Sequence, residues 1–226
     1  MKVTWFGHAA LGLEVGYFHV LVDPFFTGSP VSNVNVDTIP ADFILVTHGH
    51  GDHVGDTVAI ARRTGATVIA VYEVANWLAA RGVQTHAQHL GGGYRHPFGH
   101  LKLTMALHGS SLPDGSYGGN PAGFLLTTEE DKKVYIAGDT GLFGDMRLIG
   151  EEGIDLAVLP IGDNFTMGPE DALRAVRLIQ PRHVIPIHYG TWDVIEQDAR
   201  RWVERVKSEC GDTKAHLLKP GESLTL

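Results

Sequence analysis

Near the N-terminus, apolar and polar residues alternate over short stretches. Val3–Phe6, Leu11–Val15 and Phe18–Val22 each read as a strand closed by turn residues. The alternation stops at Pro24. From there to Pro40 the chain carries Gly28, Ser29, Pro30, Asn33 and Asn35 and reads as a long surface loop. Phe43-Ile44-Leu45-Val46 is then continuously apolar, which suits a short buried strand over Asp42–Thr47. That run ends abruptly in His48-Gly49-His50-Gly51-Asp52-His53. Beyond it, Val54, Val58 and Ala61 recur at helical spacing until Gly65.

Strand and helix patterns then take turns. Thr67–Val71 predicts a strand and Glu73–Arg81 a helix with Val74, Trp77 and Leu78 inward. Leu101–Leu107 and Gly123–Thr127 predict strands on either side of the polar segment Gly109–Pro121. Further strands are expected at Lys133–Ala137, Leu156–Ile161 and Val184–Ile187. Between the last two, Pro169 opens a helix whose Ala172, Ala175, Val176 and Ile179 share a face. A last helix presents Ile195, Ala199, Trp202, Val203 and Val206 inward, and a short strand pair ends the chain. Strands first, then strands mixed with helices, predict an α/β architecture of two packed sheets with helices outside. With no linker or low-complexity tract, residues 1–226 read as one domain.

Composition narrows the function. The chain has 226 residues, enough for a continuous core, and a net charge of -8 without any Lys/Arg cluster, which argues against tracking a nucleic-acid polymer. One cysteine, Cys210, precludes a disulfide within the chain and suits a reducing compartment. No signal pattern opens the sequence and no run of about 18 apolar residues occurs. The expected location is cytoplasmic, with no membrane partner.

The 13 histidines carry the chemistry, and their positions matter more than their number. Binding a divalent metal requires several nitrogen or oxygen donors at one point, preferably on rigid backbone. His48, His108, Asp139, Asp163 and His188 each follow an apolar strand, and neighbouring strand ends lie side by side in a layered fold. The segment His48–His53 adds three imidazoles and a carboxylate spaced by Gly49 and Gly51.

His48-x-His50-x-Asp52-His53, with His108, Asp139 and His188 following in order, resembles the metallo-β-lactamase-fold hydrolases. The resemblance extends over essentially the whole chain. Gly7-His8-Ala9, Val22-Asp23-Pro24 and Ile161-Gly162-Asp163-Asn164-Phe165-Thr166-Met167 are similar to the uncharacterised metal-dependent hydrolases related to ascorbate-6-phosphate lactonase. The resemblance implies a four-layer αββα sandwich with two divalent metal ions at one edge. His48, His50 and His108 would hold the first, Asp52, His53 and His188 the second, and Asp139 both. It further implies a metal-bridging hydroxide attacking an ester-type bond, with Asp52 orienting it and accepting its proton. His8 is the candidate for substrate binding or leaving-group protonation, and Asp23 for orienting a ligand imidazole. Zinc is the first expectation and manganese the second, with nickel and iron also suited to these donors.

Departures from relatives of the same fold narrow the reaction. Many zinc β-lactamases have a cysteine where this chain has Asp139, and diiron oxidoreductases of the fold have a carboxylate where it has His50. A phosphodiesterase or lactonase reading therefore leads. The alternatives are a diiron redox enzyme and a non-catalytic metal-binding scaffold. The expected partner is a small-molecule ester; the subunit number stays open, a homo-oligomer included. Simpler readings stand beside these. Asp52 could cap a helix, and Asp139, Asp163, Asn164 and Thr166 could shape turns. His8 could be structural, and His86, His89, His96 and His100 match no metal template. Phe25–Pro40 and Gly109–Pro121 are the loops expected to frame the mouth. The tryptophans and methionines read as core.

Overall fold

A computed structural model describes residues 1–226 and divides the strands between two seven-stranded sheets. The first contains β1 (Lys2–Gly7), β2 (Ala10–Val15), β3 (Phe18–Val22), β4 (Phe43–Leu45), β5 (Thr67–Val71) and β6 (Thr85–Gln88), with β14 (Ser223–Thr225) at its edge beside β1. The second runs β13-β12-β11-β10-β9-β8-β7, from Lys214–Ala215 through His183–Ile187, Leu156–Pro160, Lys133–Ile136, Ala122–Thr127 and Gly99–Met105 to Gly93–His96.

Alternation within the strands decides which layer each side chain joins. In β10, Val134 and Ile136 enter the core between the sheets while Tyr135 faces the opposite layer. In β11, Leu156 and Val158 point one way and Ala157 and Leu159 the other. Strands covered on both faces have no polar side to show, which is why they read as continuous apolar runs. Helices α2 (Thr57–Thr64) and α3 (Tyr72–Ala79) pack against the first sheet. Helices α4 (Met146–Gly150), α5 (Pro169–Ile179) and α6 (Ala199–Glu209) cover the second, whose outer layer includes Ala172, Val176, Ile179, Trp202 and Val206. Fully burying a side chain the size of Val176 or Ile179 stabilises the fold by roughly 1.5–3 kcal/mol. The layers are αββα, as the resemblance implied.

Strand direction then creates the functional rim. Strands β1 and β3 are both antiparallel to β2, and β3, β4, β5 and β6 are mutually parallel. Likewise β8 and β10 flank β9 antiparallel, and β10 to β13 are parallel. Within each sheet the donor-bearing strands therefore run in one direction: β1, β3 and β4 in one, β8, β10 and β12 in the other. Their C-terminal ends lead to His8, Asp23, His48, His108, Asp139 and His188.

Tertiary structure revises several local expectations. The helix after the histidine motif is split into α1 (Gly51–Val54) and α2 by Gly55, whose φ is +40° and whose absent side chain makes room for the backbone of Pro24 and Phe25. Trp77 is only half-buried; it lies under Arg81, whose guanidinium carbon is 3.2 Å from the ring centre. Ile195 is buried, but in a 3-10 turn (Asp193–Ile195) ahead of α6. Strands β6 and β7 and helix α4 were not expected, being short and weakly patterned. The two C-terminal strands do not pair: β13 joins β12 and β14 joins β1, in different sheets.

Candidate metal centre

The His48–His53 segment leaves β4 and turns at once into α1, so His53 is driven inward while His50 and Asp52 border a cleft. Asp52 does not cap the helix; no side chain does. The seven predicted donors meet at this rim. His48, His50 and His108 form one group and His8, Asp52, His53 and His188 another, with all donor atoms within 4.8 Å of one another in each. Asp139 lies between them. Its Oδ2 is 3.0 Å from His188 Nε2, 3.4 Å from His53 Nε2 and 3.6 Å from His108 Nε2. Asp163 stays apart: exposed, its Oδ1 accepts from the backbone N–H of Asn164, so it shapes its turn.

Asp23 orients one imidazole of each group. Its Oδ2 lies 2.8 Å from His53 Nδ1 and accepts the Thr47 hydroxyl at 2.6 Å, while Oδ1 takes the Thr47 backbone N–H at 2.8 Å. With its proton committed to Asp23, Thr47 Oγ1 can only accept from His48 Nδ1, 3.0 Å away. Both imidazoles thus carry hydrogen on Nδ1 and direct Nε2 toward Asp139 or His50. His48 Nε2 lies 2.9 Å from His50 Nδ1.

Behind this arrangement sits His8. It is fully buried in left-handed backbone (φ 51°), with Nε2 3.0 Å from Asp52 Oδ2 and Nδ1 2.8 Å from Thr191 Oγ1. Burial, aided by the positive potential of His188 and His53, pushes its pKa down to about 4 despite Asp52. A neutral imidazole beside a carboxylate donates from Nε2, so Thr191 donates to Nδ1. His8 is not among the residues lining the cleft. His8, Asp23 and His188 (φ 56°) all hold left-handed backbone. Non-glycine residues avoid this region unless surrounding structure holds them there.

The electrostatics call for positive charge. Burial penalises ionised His53, yet Asp139 and Asp23 on either side raise its pKa well above the usual range. Burial likewise opposes ionised Asp139, but His53 and His188 hold it well below the carboxylate range. His48 and His108 are lowered chiefly by burial. Asp52 ionises more readily than usual: burial opposes this, but the His8 hydrogen bond and the charge on His53 outweigh it. His53 Nε2, both ring nitrogens of His188 and Asp139 Oδ1 are buried without a hydrogen-bond partner. Unsatisfied buried polar atoms are costly, and His53 Nε2 and His188 Nε2, both beside Asp139, are placed to face a cation. The donor set fits metal.

The cleft has a volume of about 540 Å³ and is lined by His50, Gly51, Asp52, His108, Asp139, His188, Phe165, Trp192 and Val194. Its apolar wall comes from the segments after β11 and β12, not from Phe25–Pro40 or Gly109–Pro121 as expected. Instead, Ser110 supports the motif from beside, accepting the Gly49 N–H at 3.0 Å. Trp192 belongs to this wall rather than to the core. No periodicity marks it, though its place four residues after His188 is a usable hint.

Known proteins agree with this picture. Residues 19–189 match the family model described as the beta-lactamase superfamily domain. The chain is 50% identical to a UPF0173 metal-dependent hydrolase of Heliobacterium modesticaldum over 234 residues, covering 100% of this chain and 98% of the relative. It is 49% identical to another from Bacillus cereus, with 100% of both covered. Igni18, a metallo hydrolase from the archaeon Ignicoccus hospitalis, has a similar structure: its TM-score is 0.91 at 36% identity, covering 100% of this chain and 97% of that one. The chain belongs to the UPF0173 metal-dependent hydrolases of the beta-lactamase superfamily.

Proposed function

We propose that this chain hydrolyses an ester-type bond, in a phosphodiester or a lactone, at a pair of divalent cations. The observation that carries this reading is Asp139: a buried carboxylate between two donor groups, with partnerless nitrogens converging on it. His48, His50 and His108 would hold one cation and Asp52, His53 and His188 the other, with Asp139 touching both. Zinc is the first choice and manganese the second for these imidazole and carboxylate donors. When bound, the cations would supply Lewis acidity, bringing the pKa of water near 7 and polarising the oxygen of the bond under attack.

The remaining work falls to the chain. Asp52 borders the cleft with Oδ2 held by His8, leaving Oδ1 to take the proton released as water attacks. His8 acts from behind as a positioning residue, keeping Asp52 ionised and aimed. Asp23 sets the tautomers of His48 and His53, so each presents Nε2. The water oxygen bonds to the acyl carbon or phosphorus as the bond from that atom to the leaving oxygen breaks, and the leaving oxygen takes the proton that Asp52 accepted.

The experiment is turnover of phosphodiesters, lactones and thioesters by protein loaded with each metal in turn, with metal content measured alongside. Two cations per chain and hydrolysis of an oxygen ester support the reading. One cation per chain, or oxidation chemistry with bound iron, defeats it.

A further inference from the structure

The loops that meet at the metal rim contain neither lysine nor arginine. This holds for 23–41, 46–57, 106–121, 137–146, 160–168 and 187–198, although the chain has 18 such residues. The same stretches hold Asp37, Asp56, Asp145, Asp163, Asp193, Glu196 and Asp198 in addition to the site carboxylates, and Asp114, which is paired with Arg81 at 3.1 Å. A site that selects a phosphate or carboxylate normally supplies a fixed cation, most often arginine, to meet it. Beyond the cations proposed for the centre, these loops offer an anion no lysine or arginine, and their carboxylates disfavour it.

What the rim offers is apolar surface. Phe165, Trp192 and Val194 are 53%, 39% and 54% exposed, and all three line the metal cleft. Large apolar side chains cost stability when left in water, and a contiguous patch beside a catalytic cleft marks a binding surface. Local structure holds them outward. Phe165 follows Asp163 and Asn164, two successive residues in left-handed backbone (φ 63° and 51°), a turn that presents its ring to the cleft. Trp192 precedes, and Val194 lies within, the 3-10 turn whose Ile195 is fully buried as an anchor. Thr191 is pinned by His8, and the Trp192 ring lies 5.0 Å from the His8 ring and 6.3 Å from Phe25. The wall is thus tied to the same histidine that holds Asp52.

We infer that the substrate is an uncharged ester or lactone bearing an alkyl or aryl group, which Phe165, Trp192 and Val194 bind while the reacting carbonyl faces the metal donors. The inference rests on the hydrolytic reading of the centre and selects the neutral lactone or carboxylic ester over the anionic phosphodiester.

Calorimetry with non-hydrolysable cyclic ketones tests the wall without requiring turnover. Cyclopentanone, 2-heptylcyclopentanone and 2-(6-carboxyhexyl)cyclopentanone are titrated into metal-free and zinc-loaded protein. Each buried methylene strengthens binding about fourfold, so the heptyl ketone should bind at least 50-fold tighter than the parent if several methylenes are covered. The carboxylate analogue should bind more weakly than the heptyl one. Trp192→Ala and Phe165→Ala should each shrink the heptyl preference about tenfold, and Trp192→Phe should restore most of it. In parallel, turnover of γ-undecalactone is compared with that of γ-butyrolactone. Equal binding of heptyl and parent ketones, tighter binding of the carboxylate, or a preference indifferent to both substitutions overturns the inference. So does a dimer in ultracentrifugation that buries Trp192 and is lost in Trp192→Ala. If the heptyl preference maps to Trp192 and Phe165 but no lactone, carboxylic ester or phosphodiester is hydrolysed with any metal, the hydrolytic reading falls and the apolar subsite stands; hydrolysis of phosphodiesters alone overturns the inference and leaves that reading standing.

Discussion

Apart from the His183–His216 pair, histidines gather at two places in this protein, and only one gathering fits metal. At the strand-end rim the rings of His48 and His53 are 4.1 Å apart, as are those of His8 and His188. At the far edges of the sheets, where β6 meets β7, His86 lies 4.4 Å from Tyr94 and 4.8 Å from His96, and His96 stacks on Phe98. Ring density is similar; the nitrogens behave differently. His96 Nε2 is 3.0 Å from Gln88 Oε1, a neutral acceptor, and no group of three donors converges there. At the rim, Asp139, Asp52 and Asp23 supply negative charge, and several nitrogens remain unspent. Convergent lone pairs around buried carboxylates, rather than abundance of imidazole, distinguish a metal centre from an aromatic cluster.

Removing Asp139 should break the contrast most completely. Asp139→Ala is expected to lower kcat/KM on the ester panel by on the order of 10³-fold, with the circular-dichroism spectrum unchanged; wild-type turnover would sink the assignment. Dialysis against a chelator should have an effect of similar size, reversed on adding back zinc or manganese.

Smaller losses should follow from the residues behind the donors. Asp23→Asn and His8→Ala are each expected to weaken metal binding about 10–100-fold, read by competition with a chromophoric chelator. For His8→Ala, a weaker second cation with an unchanged first would separate its action through Asp52 from a general loss of structure. Equal weakening of both would refute the positioning role.

The edge cluster should respond in the opposite sense. Burial first, then the charges of His86 and His100, push His96 down to about 4 from an ordinary 6.5. Between those values the unfolded chain takes up a proton that the folded chain refuses, so stability falls as pH drops from 6.5 toward 4. Denaturant titrations at pH 7 and 4.5 should differ less for His96→Phe than for the natural chain. An identical pH dependence would remove His96 from the account. Least of all, His86→Ala should leave metal content unchanged and kcat/KM within about twofold, since its half-buried ring lies away from the site. A lost equivalent of metal would mean the edge cluster is a site after all.

Much of this protein was legible in one dimension. The strands from Val3 to Val22, the parallel strands at Leu156 and Val184 and the α5 face from Ala172 to Ile179 were visible because period and burial are properties of neighbours in sequence. The His48–His53 segment was visible for the same reason: its donors are close along the chain. His108, Asp139 and His188 were candidates as donors at the ends of apolar runs, but so was Asp163; only their order in a resembling family singled them out, since nothing local says that strand ends in different sheets share a rim. Strands β6 and β7 were missed because neither alternates strongly.

By itself, then, the sequence determined the layers, the donor types and the absence of fixed cations along the rim loops. Only the tertiary structure decided that His8 lies behind Asp52, that Asp23 reaches His53 directly and His48 through Thr47, and that the last two strands part to different sheets. It also decided that Phe165 and Trp192 border the cleft instead of entering the core. Such facts depend on contacts between residues distant in sequence, and a side chain's partner and protonation follow from what the folded chain sets against it.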